Sequence, residues 1–356
     1  MNIEYTQRLE KIEAELKKWL LSAGSDSTIR EKIFPGIGEI NPASLEALFA
    51  PISDMLFRVG KRWRPLLMTL VCETLGGGDA AVPLAPLVEF CHNASLIHDD
   101  IEDDSEERRG KPAVHTIYGV DTAINSGAFF YFLSACCIES SSIGLFAPEK
   151  REMIFKLWVQ CMRRLHLGQA IDISWHRDIK VVPQIDEYYT MCRMKTGSLA
   201  RFAAELGVFA AEAADIKSGE DTARRLGEAA EKLGTGFQIL DDVKSLTTGI
   251  PGKKRGEDIV EGKKSLPILL YLHKYPEKRE QIFFFLYEAE TNGYAAPEVN
   301  DMIEILTEAG VLKEAEEIAL SLINEAREVF GSPQHAGIPA NEKGRALLEG
   351  LIGQIS

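Results

Sequence analysis

Two carboxylate clusters mark where this chain could do chemistry: HDDIEDD at His98–Asp104 and ILDDVKS at Ile239–Ser245. Asp99, Asp100 and Asp103 fall at i, i+1 and i+4, so on a helix Asp99 and Asp103 stack one turn apart on one face. Bare carboxylates that close repel each other. A solvated helix face is the bland reading of such a run. The apolar ASLI before the first cluster and GFQIL before the second argue against it. Acidic groups that emerge from a buried helix need a compensating cation. Hard oxygen donors suit Mg²⁺, which keeps several waters and takes one or two carboxylates together with substrate phosphates.

The basic residues gather at the breaks around these clusters. GKRWRP supplies Gly60, Lys61, Arg62 and Arg64; RRGKP supplies Arg108, Arg109 and Lys111 just after the first acidic run. MKTGSL supplies Lys195 and Thr196, and GIPGKKRGEDIVEGKKSLP supplies Lys253, Lys254, Arg255, Lys263 and Lys264 after the second. Any one of these alone reads as surface charge. Together they differ: adjacent arginines in a tight turn can grip phosphate bidentately, and lysines on glycine-containing loops add point charges. The combination predicts Mg²⁺ and more than one phosphorylated ligand.

Helices must carry these groups. Strand-like alternation is absent, and helical spacing predicts helices over roughly 4–22, 42–58, 62–76, 82–104, 117–140, 148–173, 184–211, 219–246, 264–274, 277–291, 296–308, 310–330 and 340–354. No low-complexity linker divides the 356 residues, so one all-α domain over 1–356 is expected. The two acidic helices hint at a pseudo-symmetric pair. The net charge of −14 argues against a nucleic-acid partner. No run of eighteen apolar residues suggests a membrane span. The first twenty residues lack the apolar core of a signal peptide. The six cysteines lie in apolar helical stretches without metal-site spacing and read as reduced core thiols. These features point to the cytoplasm. Tyr188, Tyr189 and the phenylalanines near 283–285 read as core, as does His98.

GKRWRP, HNASLIHDDIEDDSEERRGKPAVH, LHLGQAID, RMKTGSL, GFQILDDV and GEDIVEGKKSLP, in this order, resemble the motifs of the trans-isoprenyl diphosphate synthases, the polyprenyl synthetase family. The stretch from Asn93 to Ser126 is most similar to eukaryotic-type geranylgeranyl diphosphate synthases. The resemblance implies a single-domain helical bundle around a deep central cavity, the isoprenoid synthase type I fold, in a homodimer. It implies condensation of an allylic diphosphate with isopentenyl diphosphate, assisted by three Mg²⁺ ions per site, with Mn²⁺ as a substitute. Asp99, Asp100, Asp103, Asp241 and Asp242 would bind metal, with Asp172 in support. Arg108, Lys195, Gln238 and Lys254, or its neighbour Lys253, would hold the allylic diphosphate, with Lys263 beside them. Gly60, Lys61, Arg64, His92 and Arg109 would hold isopentenyl diphosphate, and Thr196 and Gln169 would orient the cation.

Ser245 departs from the pattern, standing where many members carry the last aspartate of a DDxxD run. That keeps a non-catalytic regulatory subunit as an alternative, although eukaryotic-type relatives share the departure. A histidine–aspartate metal phosphohydrolase is the other rival, and it needs several imidazole ligands that the remaining histidines do not supply. Product length turns on Ala94 and Ser95, about 6–8 Å along the helix from Asp99. Both are small, which disfavours a farnesyl end point. The resemblance assigns the floor to Tyr131, Phe132 and His166, and geranylgeranyl diphosphate is the expected product, with farnesyl or longer products as alternatives.

Overall fold

The computed structural model describes residues 3–20, 27–139, 146–213, 219–249, 254–331 and 341–355. In chain order the helices are α1 Ile3–Lys17, α2 Ser27–Ile33, α3 Pro42–Phe57, α4 Trp63–Thr74, α5 Ala85–Glu102, α6 Val114–Tyr118, α7 Val120–Glu139, α8 Pro148–His176 and α9 Ile185–Cys192. They continue as α10 Ser198–Ala213, α11 Gly219–Leu246, α12 Glu257–Val260, α13 Leu266–Lys274, α14 Arg279–Asn292, α15 Pro297–Glu308, α16 Val311–Gly331 and α17 Glu342–Ile355. The all-α expectation holds: among the described residues, the strands β1 Glu107–Arg108 and β2 Lys111–Pro112 form a single small hairpin.

Local chemistry sets several boundaries. Asn41 caps α3 by accepting from the Ala43 amide at 2.9 Å, and Pro42 occupies the first helical position, where its missing N–H costs nothing. Proline also opens α5, α13 and α15. The expected helix over 184–211 is interrupted: Arg193–Gly197 forms a π-turn between α9 and α10. The first acidic run also ends its helix earlier than expected. Glu102 is the last residue of α5, Asp103 is its C-cap, and Asp104 takes a left-handed φ of 52°.

The chain divides into two compact units. One comprises Met1–Gln160, Phe202–Gly227 and Phe330–Leu351; the other comprises Cys161–Arg201, Glu228–Val329 and Ile352–Ser356. In the first unit α5 packs against α1, α3, α4 and α7. Leu87, Val88, Phe90, Cys91, Ala94 and Ile97 are fully buried, which makes α5 apolar around most of its circumference. The stretch Gly78–Glu102 is in fact long and apolar enough to cross a membrane by composition, contrary to the sequence expectation, but most of it is core here. In the second unit α13 packs on α9 and α15, and α14 packs on α12 and α15.

Candidate active site

In the first unit, α5 leaves one stripe uncovered. His92, Ser95, Leu96 and Asp99, at i, i+3, i+4 and i+7, are half-buried, while Asn93, Ala94, Ile97 and Asp100 between them are fully buried. The hairpin follows at once. Its two-residue turn is Arg109-Gly110, with φ of 55° and 73°. Positive φ at both positions is the turn geometry that matches the twist of paired strands.

Arg58, fully buried at the end of α3, clamps this hairpin. It donates to Arg108 O at 3.0 Å and to Pro112 O at 2.9 Å, and pairs with Asp54. The two arginines of the turn then go separate ways. Arg108 Nε donates to Asp100 Oδ1 at 2.6 Å, and its Nη2 lies 3.5 Å from Asp99 Oδ2. Burial works against the Arg108 charge, but Asp100 and Asp99 outweigh it and hold the guanidinium above its ordinary pKa. Arg109 Nη1 donates to Asn93 Oδ1 at 3.2 Å. A Cβ on Gly60 would sit 3.0–3.2 Å from the Arg109 guanidinium.

Arg64 stacks over Trp63 at 4.4 Å and reaches His92 Nε2 at 3.3 Å. Burial first, and then the charges of Arg64, Arg109, Arg62 and Arg108, hold His92 well below its usual pKa, so the imidazole is neutral. Gly60, Arg64, His92 and Arg109 are thus neighbours, with Lys61 exposed beside them. Of the expected floor residues on α7, Tyr131 is buried, whereas Phe132 is 66% exposed. His98 lies 3.2 Å from Ile124 O, and its ring centroid is 5.7 Å from that of Tyr131.

In the second unit α8 carries His166, Gln169 and Asp172. His166 is exposed, with Nδ1 2.8 Å from Met162 O; Gln169 is half-buried and Asp172 buried. Lys195 Nζ pairs with Asp172 Oδ2 at 2.6 Å. The close approach depends on Gly168, where a Cβ would fall 2.3 Å from the Lys195 amide nitrogen and 2.7 Å from Met194 C. From the π-turn, Thr196 Oγ1 donates to Gln238 Oε1 at 2.7 Å; Gln238 Nε2 donates to Asp242 Oδ1 at 3.0 Å. Tyr188 OH donates to Asp242 Oδ2 at 2.6 Å. Asp242 is therefore engaged through both oxygens. Burial, with Asp258 next in weight, pushes its pKa up to about 7. Asp241 is half-buried on the same helix.

Lys254 Nζ sits 4.6 Å over the Tyr294 ring, and Lys263 pairs with Glu261 at 2.6 Å. Lys253 lies outside the described residues. Tyr188, expected to be plain core, and Asp258, not singled out in the sequence, both belong to the Asp242 surroundings. An aromatic on an apolar helix face reads the same with or without a partner for its hydroxyl. Ser245 is 1% exposed.

Among the described residues no three His, Cys, Asp or Glu side chains form a self-contained metal cage. A hard cation such as Mg²⁺ can take few protein oxygens and complete its shell with phosphate and water. In the first unit Asp99 and Asp103 lie half-buried on one side-chain row; in the second, Asp241 is half-buried.

The family model for polyprenyl synthetases matches residues 46–304 of the chain. Geranylfarnesyl diphosphate synthase of Aeropyrum pernix is 31% identical over 301 residues, 83% of this chain and 91% of that one. Geranylgeranyl pyrophosphate synthase of Neocamarosporium betae is 30% identical over 302 residues, 84% of this chain and 80% of that one. Among solved structures, geranylgeranyl pyrophosphate synthetase from Pyrococcus horikoshii Ot3 superposes with a TM-score of 0.74 at 28% identity, covering 98% of each chain.

Proposed function

The chain belongs to the polyprenyl synthetase family, and from that premise we propose that it joins an allylic diphosphate to isopentenyl diphosphate and makes chiefly geranylgeranyl diphosphate. The observation that carries the reading is the Arg108–Arg109 turn. Its two guanidiniums lead to different groups, Asp99 and Asp100 for one, Asn93 for the other with Gly60 alongside. A reaction of two diphosphates needs two such anion-binding groups, and planar arginine forks suit both.

In the proposed reaction the allylic C–O bond breaks and its electron pair leaves with diphosphate. The isopentenyl double bond then attacks the allylic carbon, and a proton passes to the released diphosphate. Arg108, Lys195 and Lys254 would hold the leaving diphosphate, with fixed positive charge where negative charge develops. Gly60, Lys61, Arg64, neutral His92 and Arg109 would hold isopentenyl diphosphate. Thr196, fixed by Gln238, would face the allylic cation with its oxygen. Asp99, Asp103 and Asp241 would be the metal contacts, with Asp100 and Asp242 anchoring Arg108 and Gln238. Mg²⁺, when bound, would neutralise charge on the leaving diphosphate.

Tyr131 is favoured over Phe132 as the product floor because it is the buried one. The exposed Phe132 falls in a row with Val120 and Ile124 at multiples of four along α7, 66%, 50% and 49% exposed. That apolar row supports a homodimer, and sedimentation of the purified chain tests it. The activity test offers the chain Mg²⁺, isopentenyl diphosphate and dimethylallyl, geranyl or farnesyl diphosphate, and separates products by chain length. A twenty-carbon product is expected, longer in Tyr131→Ala and shorter in Ala94→Phe. Arrest at farnesyl diphosphate would refute the product assignment; monoester hydrolysis, or binding without turnover, would refute the synthase reading.

A further inference from the structure

We propose that Asn93 is a positioning residue for Arg109 and thereby sets the affinity for isopentenyl diphosphate; the inference rests on the function proposed above. Asn93 is fully buried in α5. Its Nδ2 donates to Glu89 O at 2.7 Å and to Glu89 Oε1 at 2.8 Å. Both amide protons are thereby used within α5, and Oδ1 is the atom left to face the hairpin. It accepts from Arg109 Nη1 at 3.2 Å. A reversed amide would set two donors against each other at Arg109 and lose both bonds to Glu89, so the orientation is fixed by chemistry.

The chain of contacts continues inward. Glu89 is 1% exposed, and a carboxylate that deep in the core needs hydrogen-bond partners. Arg62 Nη1 holds it at 2.7 Å, and Arg62 Nε is held in turn by Glu13 Oε1 at 2.7 Å. Arg62 adopts a left-handed φ of 47°, a conformation costly for a side chain of its size unless the surroundings fix it. The line Glu13–Arg62–Glu89–Asn93–Arg109 therefore joins α1, the start of α4, α5 and the hairpin turn. Its outer end is a guanidinium whose plane also lies against Gly60. An apolar side chain at 93 would remove the hydrogen bond that orients the Arg109 guanidinium. A guanidinium that must find its own orientation loses part of the benefit of a preformed fork.

Two variants test this. Asn93→Ser keeps a hydroxyl that can donate to Glu89 O but is too short for Arg109; Asn93→Leu keeps the volume and removes the polar atoms. Isopentenyl diphosphate binding is measured calorimetrically on the full chain without turnover, and KM is measured for each substrate. Both variants should weaken isopentenyl diphosphate about tenfold in Kd and KM. The allylic KM should stay within about twofold, a split that a loss of packing would not produce. In an Arg109→Lys background, Asn93→Ser should add less than about twofold, because the group it positions has gone. Unchanged isopentenyl diphosphate affinity in Asn93→Ser overturns the proposal even if Asn93→Leu does not fold. So does an equal rise in both KM values, or full additivity with Arg109→Lys. Absence of isopentenyl diphosphate binding by the unmodified chain overturns the functional reading and this one together, whereas wild-type binding with an unaffected serine variant overturns only the role of Asn93.

Discussion

Replacing Arg58 with Met should disable the hairpin without touching any residue expected to meet substrate. Arg58 donates to the Arg108 and Pro112 carbonyls from a fully buried position and pairs with Asp54. Methionine fills much of the same volume and supplies no donor. Two carbonyls lose charge-assisted hydrogen bonds, each contributing about 1.5 kcal/mol at the low end, so the docked hairpin loses about 3 kcal/mol. Asp54 keeps Lys111 at 3.6 Å, which limits the cost of an unpaired carboxylate. Since 1.4 kcal/mol is tenfold, kcat/KM should fall about a hundredfold. Arg108 and Arg109 sit side by side on the hairpin, so the KM values for both substrates should rise, unlike the selective effect expected at Asn93. Steady-state kinetics on both substrates, with hydrogen exchange of residues 105–113, provides the assay. The reasoning is wrong if Arg58→Met exchanges those amides at the wild-type rate and keeps both KM values.

Asp241→Ala should lower turnover by orders of magnitude, whereas Ser245→Ala should change kcat less than about twofold, since the Ser245 hydroxyl is buried with no hydrogen-bond partner among the described residues; equal losses would contradict the assignment of the second cluster. Gly168→Ala should cost about 3 kcal/mol of stability and most of the activity, because its methyl group would meet the Lys195 backbone, a clash that a flexible side chain cannot relieve; an unchanged melting temperature would refute that. Lys264 is 3% exposed, and burial lowers its pKa from 10.5 to about 8. Between those values the unfolded chain holds more protons, so this group's destabilisation is complete below about pH 8 and is relieved as pH rises towards 10.5. Lys264→Met should stabilise the fold at neutral pH by about 2 kcal/mol, allowing for the lost bond to Gly262 O. Urea titrations at neutral pH and near pH 10 check this, and a constant difference between wild type and variant would count against it.

Long helices were legible because burial imposes a period on the sequence. α3, α7, α11, α14 and α16 fall within a few residues of their expected spans. The short α2, the hairpin and the π-turn were not, since two to seven residues carry too little period to detect. The hairpin is instead specified by Arg58, about fifty positions away. The aspartates and the basic residues of the motifs were legible as candidates because their chemistry is unusual in an apolar context. Their supporting contacts were not: Tyr188 and Asn93 act on residues in other parts of the fold or on another turn, and nothing local distinguishes them. The serine at 245 also becomes intelligible, since that position is buried and a carboxylate there would need a partner of its own.

The π-turn has a consequence for register. Thr196 lies eight positions after Tyr188 in the sequence, whereas two turns of regular α-helix take about seven. A helix without the wide turn would send the two side chains to different faces. The wide turn absorbs one residue, and both side chains then meet α11 one turn apart, Thr196 at Gln238 and Tyr188 at Asp242. The helix thus behaves as a ruler with one interval deliberately stretched. Excising Met194 would return it to even spacing while keeping Tyr188 and Thr196 in line. The residue whose bearing would change is Lys195, the one that leaves this row to pair with Asp172.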